Sequence, residues 1–384
     1  MKNYNLKKVK GYIEGYYGNL LTWDERDRII NILKKNRMNF YFYCPKEDLF
    51  HRYEWKKQYT NEWLKSFKNF SKNAHSKKIK IICGIAPGLN FNFQSFLSGN
   101  KSELKLLEKK CLKFVKNGAD GIAILYDDIP FDYSNKISLK DEGFVHAKLV
   151  NLISSKINLP VFTVPRIYAD ELVNENSFYL ETFLNELDKK IYVFYSGEYI
   201  VSQKFSTKLK ILKQKLKEGK IIYWDNFYAN DYCPKRLIIG PWKNKYLINK
   251  SMINGTGLIN TDELILEIVN KTGNKKNKYT LWKNILKKHH VPKYFFHICK
   301  AFLAPNFSYQ TKLQKYQFNH NSYFFLDYLL WKWKSELSRE WYNYFLNFKH
   351  DLQILNDELP VNRILKTQTN PFQMVLLERK YKNE

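Results

Sequence analysis

Eight short apolar runs, each followed by a segment with helical spacing, restrict this chain to very few folds. The runs begin near Val9, Asn39, Ile79, Gly121, Pro160, Ile191, Ile221 and Gly257. Successive runs are roughly 30–40 residues apart, which leaves room for a strand, a helix and their two loops. Strands and helices that alternate in this way form parallel sheets, and eight units close into a ring. The sequence therefore predicts an α/β protein built on a (β/α)8 TIM barrel.

The segments between the runs carry the start and stop signals of helices. Thr22–Glu25 has the pattern of a capping box, in which a threonine and a glutamate satisfy free backbone N–H groups. Ser102 can cap a second helix, whose apolar residues recur at helical spacing as far as Asn117-Gly118. A third helix is predicted from Gly143 to Ile157, before Pro160. We expect these helices to connect parallel strands.

The chain is longer than one barrel requires. It has 384 residues, whereas a TIM barrel takes about 250. Residues 272–278 are polar and rich in turn formers, which is typical of a linker. Aromatic amphipathic stretches follow at Tyr323–Leu337 and Glu340–Leu355 and predict helices. We expect a (β/α)8 barrel over residues 1–275 and a smaller all-α C-terminal domain over 276–384. A homodimer through these C-terminal helices is a further hypothesis.

Cysteine usage and hydropathy indicate a cytoplasmic protein. The chain has an odd number of cysteines, widely spaced and without a CxxC pair: Cys44, Cys83, Cys111, Cys233 and Cys299. This pattern favours reduced thiols over a disulfide framework or a zinc site. Residues 1–10 are polar and basic, and no apolar run is long enough to span a bilayer. We therefore expect neither a secretory signal nor a membrane segment.

The strong positive charge raises the question of a nucleic-acid partner. The formal net charge is +27, of which residues 1–275 carry +17 and residues 276–384 carry +10. A charge spread over both parts differs from the concentrated basic stripe or tail of a nucleic-acid-binding protein. We expect weak, salt-sensitive attraction to polyanions but no specific nucleic-acid partner. A basic nucleic-acid-associated protein is kept as a less favoured alternative.

Two adjacent carboxylates, Asp127 and Asp128, end the apolar run that begins at Gly121. Two like charges inside a buried strand disfavour each other. At the C-terminal end of a barrel strand, however, paired carboxylates are suited to acid–base chemistry. In isolation, an aspartate pair that only caps the following turn is an equally ordinary interpretation.

Polar motifs follow most of the other strand-like runs as well. They are Glu14–Gly18, Pro45–Asp48, Pro87–Asn90, Tyr168, Trp224–Asn226 and Asn230–Tyr232. Carboxylates, amides and a lysine beside aromatic rings suit a small polyhydroxylated ligand. Each residue has a structural alternative, since Gly15 can serve a tight turn and Trp224 can belong to the core. Lys46 is harder to explain structurally, because a lysine at a barrel mouth gains little from burial without a partner.

Several of these motifs resemble one enzyme family. They are Gly11–Gly18 (GYIEGYYG), Tyr43–Asp48 (YCPKED) with His51-Arg52 and Trp55, Ala86–Asn90 (APGLN), Tyr126–Ile129 (YDDI), and Trp224–Pro241 with its WDN, AND and KRL elements. The blocks resemble glycoside hydrolase family 84, which comprises O-GlcNAcases and bacterial β-N-acetylglucosaminidases. The resemblance covers about residues 8–270, in the same order and at compatible spacing.

The resemblance implies a retaining exo-β-N-acetylglucosaminidase that acts by substrate-assisted catalysis. Asp127 would hold and polarise the 2-acetamido N–H of the sugar, whose acetamido oxygen attacks the anomeric carbon. Asp128 would be the general acid and then the general base. One carboxyl must therefore be ionised and the other protonated, and we expect neighbouring acids in a partly desolvated pocket to separate their pKa values in this way.

The remaining site residues are also taken from the resemblance. The implied ligands of the sugar hydroxyls are Gly15, Lys46, Asn226, Asp231 and Asn260. Tyr168 would donate to the acetamido oxygen, and Trp224 would line the acetamido pocket. The implied substrate is a glycoconjugate or glycoprotein that bears N-acetylglucosamine, and neither a metal nor an organic cofactor is required.

The chain departs from the family pattern at several positions. Leu20-Leu21 replace Pro-Trp, Cys44 replaces alanine, and Arg166-Ile167 replace the Thr-Glu that precedes the tyrosine at Tyr168. Asn260 is not followed by the usual proline. The catalytic pair is unaffected by these changes, whereas the leaving-group side of the pocket is altered.

Two alternatives to this enzyme use the same barrel. One is a non-catalytic barrel that binds N-acetylglucosamine or a glycoprotein without cleaving it. The other is metal-dependent hydrolysis at the aspartate pair, although the neighbouring motifs lack histidine ligands. The enzyme hypothesis requires that both aspartate side chains reach one sugar at the mouth of the barrel. Aspartates that point away from any cavity, or that are locked in ion pairs with lysines, would contradict it.

Overall fold

The structure, a computed structural model, describes residues 6–130, 138–173, 177–202, 209–242, 249–273, 275–304, 321–355 and 358. The described strands form a closed barrel in the order of the sequence, and the last strand pairs with the first. All strand pairs are parallel. The predicted (β/α)8 barrel is therefore confirmed.

The strands are short and almost completely buried, as the strands of a barrel enclosed by helices should be. Their bounds are β1 (Val9–Glu14), β2 (Phe40–Tyr43), β3 (Lys80–Ile85), β4 (Gly121–Leu125), β5 (Val161–Val164), β6 (Tyr192–Tyr195), β7 (Ile221–Asp225) and β8 (Lys250–Asn254). The first seven begin within a few residues of the predicted runs.

The helices of the barrel agree only in part with the capping signals in the sequence. They are α1 (Trp23–Lys35), α2 (Asn61–Ser76), α3 (Phe93–Leu97), α4 (Ser102–Lys116), α5 (Leu139–Lys156), α6 (Ser177–Glu186), α7 (Lys210–Lys217) and α8 (Ile259–Thr272). Thr22 and Glu25 form the predicted capping box at the start of α1. The predicted cap at Ser102 was wrong, because Ser102 is the first residue of α4 and the N-cap position is taken by Lys101, which forms no side-chain cap. Helix α5 begins four residues before the predicted Gly143, because the side chain of Ser138 accepts a hydrogen bond from Asp141 and caps it there.

The prediction for the eighth strand was wrong in position. Strand β8 begins at Lys250, whereas Gly257 lies in the following loop with a left-handed φ of 77°. Ser251 and Met252 pair with both β1 and β7, so the short run before Asn254 completes the barrel. The more apolar Leu258-Ile259 leads into helix α8. As a result, the residue at the end of the last strand is Asn254.

Aromatic side chains fill the upper part of the barrel interior. Phe42, Phe194 and Trp224 contact one another with ring centroids 5.0–5.8 Å apart. Burial of each such side chain stabilises the fold by about 1.5–3 kcal/mol. Because Trp224 stands at the top of this cluster, the packed core also forms a firm apolar floor for any site at the mouth.

Two compact units are distinguished by their internal contacts. The first is Met1–Tyr232 with Ile238–Ile285, and the second is Cys233–Leu237 with Leu286–Glu384. Helix α9 (Lys278–Lys288) follows the predicted linker, of which Asn274 lies outside the described residues. The second unit contains α10 (Phe295–Ile298), α11 (Asn321–Asp327), a π-helical turn (Tyr328–Lys332) and α12 (Glu336–Leu355). Among its described residues, Phe295, Trp341 and Phe345 form a buried aromatic cluster.

The sequence predicts reduced thiols and no membrane segment. All five cysteines are free thiols, and four of them are buried. Over the described ranges, no helix is both long enough and apolar enough to cross a bilayer.

Candidate active site

A cavity of about 400 Å³ opens at the C-terminal ends of the barrel strands. Its lining residues come from the ends of seven strands and the loops that follow them. They are Gly15, Tyr17, Lys46, Asp127, Asp128, Val164, Tyr168, Phe194, Ser196, Ile200, Val201, Trp224, Asn226, Ala229, Asp231, Tyr232 and Asn254. Both predicted acids therefore face one cavity.

The backbone at the end of β4 presents two different carboxyl groups. Tyr126 continues the ladder, since its N–H donates to the carbonyl of Val164 at 2.9 Å. Asp128 then adopts a left-handed φ of 54°, which is strained for a residue with a Cβ. The Asp127 side chain is 7% exposed and that of Asp128 is 33% exposed. The turn therefore places one acid deep in the cavity and the other nearer its mouth.

Lys46 forms ion pairs with both acids. Its Nζ contacts Asp127 Oδ2 and lies 3.5 Å from Asp128 Oδ2. Burial lowers the pKa of Lys46, but the two carboxylates outweigh burial and raise this pKa above its ordinary value. Ion pairs with a lysine were one condition set against the enzyme hypothesis, and that condition is met in the free protein. Since Lys46 itself lines the cavity, the ion pairs keep both acids at the site.

The carboxylate of Asp128 is surrounded by groups that favour its ionised form. The hydroxyl of Tyr168 donates to Oδ1 at 2.7 Å, and that of Tyr17 donates to Oδ2 at 3.0 Å. Burial raises the pKa of this carboxyl group. The charge of Lys46, the hydrogen bond from Tyr168 and the charge of Arg52 outweigh burial, so the pKa lies below its usual value. In the free protein Asp128 is therefore ionised, which differs from the protonated state expected of a general acid.

Two buried acceptor atoms at the cavity lack partners. Neither Asp127 Oδ1 nor Asn254 Oδ1 has a hydrogen bond within the described part of the chain. Asp127 is 6% exposed and Asn254 is 4% exposed. A buried acceptor without a donor costs about 1–3 kcal/mol. Both residues line the cavity, so a ligand with N–H or O–H donors would satisfy them.

The opposite wall is a connected group of amides around an indole ring. Trp224 Nε1 donates to Asn226 Oδ1 at 2.9 Å, and Asn254 Nδ2 donates to the same oxygen at 3.1 Å. Asn226 Nδ2 donates to the carbonyl of Ile200 at 2.8 Å. These bonds fix the orientation of the ring and of both amides, so the wall is organised without a ligand.

Comparison with known proteins identifies the family. A family model described as beta-N-acetylglucosaminidase matches residues 10–256, which is more than half of the chain. This chain belongs to the β-N-acetylglucosaminidase family. Members of the family are glycoside hydrolases. The match begins at the second residue of β1 and ends two residues after Asn254, so it includes part of β1 and the whole of the other seven strands.

Individual relatives agree with this assignment. The Protein O-GlcNAcases of Mus musculus and Rattus norvegicus are each 29% identical over 243 residues, which is 61% of this chain and 26% of theirs. The chain therefore spans about a quarter of the length of these relatives. A mutant of the Thermobaculum terrenum O-GlcNAc hydrolase has a TM-score of 0.71 at 23% identity, over 90% of this chain and 82% of that one. This structural likeness supports the fold.

Gly15 and Asp231 also lie at the cavity of this barrel. A Cβ on Gly15 would stand 2.7 Å from Trp224 Cζ2, so a side chain here would displace the indole ring. Asp231 Oδ2 accepts a hydrogen bond from the N–H of Tyr17 at 3.1 Å. The loops after β1 and β7 are thereby joined at the rim.

Asn260 is the one predicted site residue that does not line the cavity. It lies in the first turn of α8, and its Oδ1 accepts a hydrogen bond from Arg28 Nη2 at 3.0 Å. The physical reason is the earlier position of β8, which brings Asn254 to the cavity in its place. The other predicted residues, Gly15, Lys46, Asp127, Asp128, Tyr168, Trp224, Asn226 and Asp231, all line it.

Sequence reasoning missed part of the cavity wall. Ser196, Ile200 and Val201 follow β6, a strand after which no site residue was predicted. The signal available was a serine directly after an aromatic strand, which is weak. Tyr17 and Tyr232 stood inside recognised motifs but were assigned no role. Among the described residues, no three His, Cys, Asp or Glu side chains are grouped as metal ligands.

Proposed function

We propose that this chain is a retaining exo-β-N-acetylglucosaminidase that removes terminal β-linked N-acetylglucosamine from a glycoconjugate or glycoprotein, as an O-GlcNAcase does. One observation carries the proposal. Two adjacent aspartates at the end of β4 face a single cavity, in a barrel that belongs to the β-N-acetylglucosaminidase family. The site is a pocket whose volume of about 400 Å³ suits one sugar with its acetamido group.

The first step of the proposed reaction uses Asp127 and the substrate's own acetamido group. Asp127 Oδ1, which has no partner in the described structure, accepts the acetamido N–H. The acetamido oxygen attacks the anomeric carbon while the bond from that carbon to the leaving oxygen breaks. The positive charge that develops on the acetamido group is stabilised by the Asp127 carboxylate. Trp224, Phe194 and Val164 give this end of the pocket apolar walls.

Asp128 moves the protons. In the first step it donates a proton to the leaving oxygen. In the second step it takes a proton from water, whose oxygen attacks the anomeric carbon and opens the oxazoline-type intermediate. Two displacements at one carbon retain its configuration. The route differs from direct attack by a carboxylate, the usual retaining scheme.

Tyr168 connects substrate binding with the protonation of Asp128. In the free protein its hydroxyl donates to Asp128 and helps to keep this acid ionised. When the acetamido oxygen takes this hydroxyl instead, Asp128 loses a hydrogen bond to its charged form and its pKa rises. Substrate would thus convert an ionised carboxylate into a proton donor. This step reconciles the lowered pKa of Asp128 in the free protein with its role as an acid.

The purified protein tests the proposal directly. We expect it to release the chromophore from an aryl N-acetyl-β-glucosaminide, and an oxazoline-mimicking inhibitor should block this activity. Activity should be insensitive to a chelator, whereas metal-dependent hydrolysis at the aspartate pair would be lost. Absence of turnover on all aryl N-acetyl-β-glucosaminides, with a folded protein, would contradict the proposal.

A change at Tyr17 should alter the pH dependence of the reaction. The reaction needs protonated Asp128, so kcat/KM should fall about tenfold per pH unit above the pKa of this group in the free protein. The Tyr17 hydroxyl stabilises the ionised form. Tyr17→Phe should therefore raise this pKa and move the alkaline limb of kcat/KM upward by about 0.5–1 pH unit.

The control for that profile is Tyr53→Phe. Tyr53 is an exposed tyrosine in the loop after β2 and does not line the cavity. Its profile should coincide with that of the parent protein. An unchanged or acid-shifted limb in Tyr17→Phe would show that Tyr17 does not control the ionisation of Asp128.

Asn254 should bind the sugar and Asn260 should not. Removal of the Asn254 side chain takes away a buried acceptor at the cavity, so Asn254→Ala should weaken binding of an oxazoline-mimicking inhibitor by about 10–100-fold. Asn226 keeps its hydrogen bond from Trp224 in this variant. Asn260→Ala is the matched control and should bind within twofold of the parent. Calorimetry measures the affinity of both variants for the inhibitor. Equal losses of affinity in the two variants would contradict the assignment of Asn254 to sugar binding.

A non-catalytic binding barrel remains the second candidate function. The contacts of Lys46 with both acids and the lowered pKa of Asp128 favour it, because both suit a fixed, ionised pair. It predicts that N-acetylglucosamine binds in a calorimeter while no aryl glycoside is cleaved. The unpartnered Asp127 Oδ1 fits either function.

The remaining expectations about the whole protein are proposals as well. Five free thiols favour a cytoplasmic protein. Dimerisation through the C-terminal helices is testable by light scattering, and the division at residue 275 by expressing residues 1–275 alone. We expect no specific nucleic-acid partner, so any binding to polyanions should disappear at moderate salt.

A further inference from the structure

The loop that carries the two acids is held by two buried arginines. This acid loop consists of Tyr126–Pro130. Arg52, in the loop after β2, is 3% exposed, and Arg166, in the loop after β5, is 4% exposed. Neither is among the residues that line the cavity. Their guanidinium groups therefore contact the acid loop outside the lining of the cavity.

Arg52 binds the main chain of Asp128 itself. Its Nη2 donates to the carbonyl oxygen of Asp128 at 2.6 Å. Its Nε and Nη1 are buried without a hydrogen-bond partner in the described ranges. The Asp128 carbonyl is thus the one hydrogen-bond acceptor of this guanidinium among the described residues. A buried cation with unused donors destabilises the folded protein. This cost indicates that the contact of Arg52 with the acid loop has a function.

Arg166 binds the main chain two residues further on. Its Nη2 donates to the carbonyl of Pro130 at 3.0 Å. Its Nη1 donates to both carboxylate oxygens of Glu142 at 2.6 Å, and Glu142 belongs to α5. This buried ion pair fixes the direction of the guanidinium. Arg166 also stands at a position where the sequence departs from the family pattern.

The backbone is strained at Asp128, the residue whose carbonyl Arg52 binds. Asp128 has a φ of 54°, a conformation that persists in non-glycine residues when the surroundings enforce it. The hydrogen bond from Arg52 holds the peptide group between Asp128 and Ile129, and the hydrogen bond from Arg166 holds the carbonyl of Pro130. Ile129 is itself buried and packs against Gly88. The direction of the Asp128 side chain follows from this enforced turn.

We propose that Arg52 and Arg166 are positioning residues that hold the acid loop so that the Asp128 carboxyl group faces the leaving-group oxygen. The proposal rests on the proposed role of Asp128 as the proton donor. The two arginines would align the carboxyl group with the leaving oxygen. Their removal should therefore lower kcat/KM most for substrates whose leaving group needs a proton. A loss of folding alone would affect every substrate equally.

Arg52→Met is the main variant, with an unactivated phenyl and an activated dinitrophenyl N-acetyl-β-glucosaminide as substrates. Loss of the Arg52 charge also raises the pKa of Asp128, so the substrates are compared at a pH below the alkaline limb, where Asp128 is protonated in both proteins. We expect kcat/KM for the phenyl substrate to fall there at least tenfold further than for the dinitrophenyl substrate. Arg52→Lys should recover part of this difference, because a lysine can still donate to the carbonyl. The matched control is Arg26→Lys, at a buried arginine that binds Glu14 through Nε and Nη2. Arg26→Lys should lower kcat/KM for both substrates by the same factor.

Arg166 requires a paired change. Arg166→Met alone leaves the Glu142 carboxylate buried without its cation, so the informative variant is Arg166→Met with Glu142→Gln. We expect this double variant to show the same selective loss on the phenyl substrate. Glu142→Gln alone keeps the contact of Arg166 with Pro130 and should show a smaller selectivity. Thermal unfolding of each variant verifies that the protein is folded.

Asp128→Asn is measured in parallel to separate the two levels of the argument. If Asp128→Asn is selective for the phenyl substrate and the arginine variants are not, the positioning proposal alone is wrong. If Asp128→Asn is not selective either, the assignment of the proton donor fails and the positioning proposal fails with it. If Arg52 acts only through Asp128, the double variant of Arg52→Met and Asp128→Asn should have the same kcat/KM on the phenyl substrate as Asp128→Asn alone.

Discussion

Asp127→Asn should lower kcat by about 10²–10³ on every aryl N-acetyl-β-glucosaminide, whatever its leaving group. The asparagine keeps the shape of the side chain but loses the negative charge. In the proposed mechanism that charge stabilises the cationic acetamido group as it attacks, and this requirement does not depend on the leaving oxygen. The expected signature is therefore a uniform loss across a series of leaving groups.

The same change also affects Lys46. Its Nζ keeps Asp128 at 3.5 Å but loses the closer carboxylate of Asp127. Breaking a buried ion pair costs about 3–5 kcal/mol of unfolding free energy, so the assay temperature should lie well below the measured Tm. Lys46, left with only the more distant carboxylate of Asp128, also adds to the loss of activity, since its positive charge opposes a developing cation.

A control for Asp127→Asn lies at the opposite end of the same strand. Asp120 directly precedes β4, and its Oδ2 interacts with His75 Nε2 and accepts from the N–H of Ile81. Asp120→Asn removes an aspartate charge without touching the cavity, so its kcat should stay within twofold of the parent. If Asp127→Asn retains more than a tenth of parental activity, Asp127 has no part in stabilising the transition state.

The loops after β1, β2, β4 and β7 were predictable because each combines a buried strand with a polar motif directly after it. In Gly121–Asp128 the change from apolar residues to two acids marks both the end of the strand and the site. At β8 the same reasoning was wrong. The true strand is short and begins with a lysine, whereas Gly257-Leu258-Ile259 is more apolar and belongs to the start of a helix.

The electrostatic state of the acids was not predictable from their adjacency. The sequence predicted that the two carboxyl groups would differ, with one protonated. In the structure, the groups that lower the pKa of Asp128 are Lys46, Tyr168, Arg52 and Tyr17. They come from loops after three other strands and meet only because the barrel closes. Lys46 and Asp127, for example, are 81 positions apart in the chain. Such contacts depend on strand register, which local patterns do not determine.

Asp128→Asn should show the second large effect, and its pattern should differ from that of Asp127→Asn. Loss of a general acid lowers rates by about 10²–10⁴ where the leaving oxygen needs a proton. A dinitrophenolate leaves without one, so kcat/KM on its glycoside should fall less than tenfold. The quantity to compare is kcat/KM, because it reports the first displacement even when attack by water limits kcat.

Asparagine is the right substitution at this position for a conformational reason. Asp128 has a left-handed φ of 54°, which asparagine adopts readily and alanine does not. Asp128→Ala would combine loss of the proton donor with a distorted turn, and the turn also carries Asp127. Asp128→Asn keeps the turn, and its carboxamide oxygen can still accept a hydrogen bond from Tyr168 or Tyr17. A loss that is equal for dinitrophenyl and phenyl glycosides in Asp128→Asn, with an unchanged Tm, would therefore exclude Asp128 as the acid.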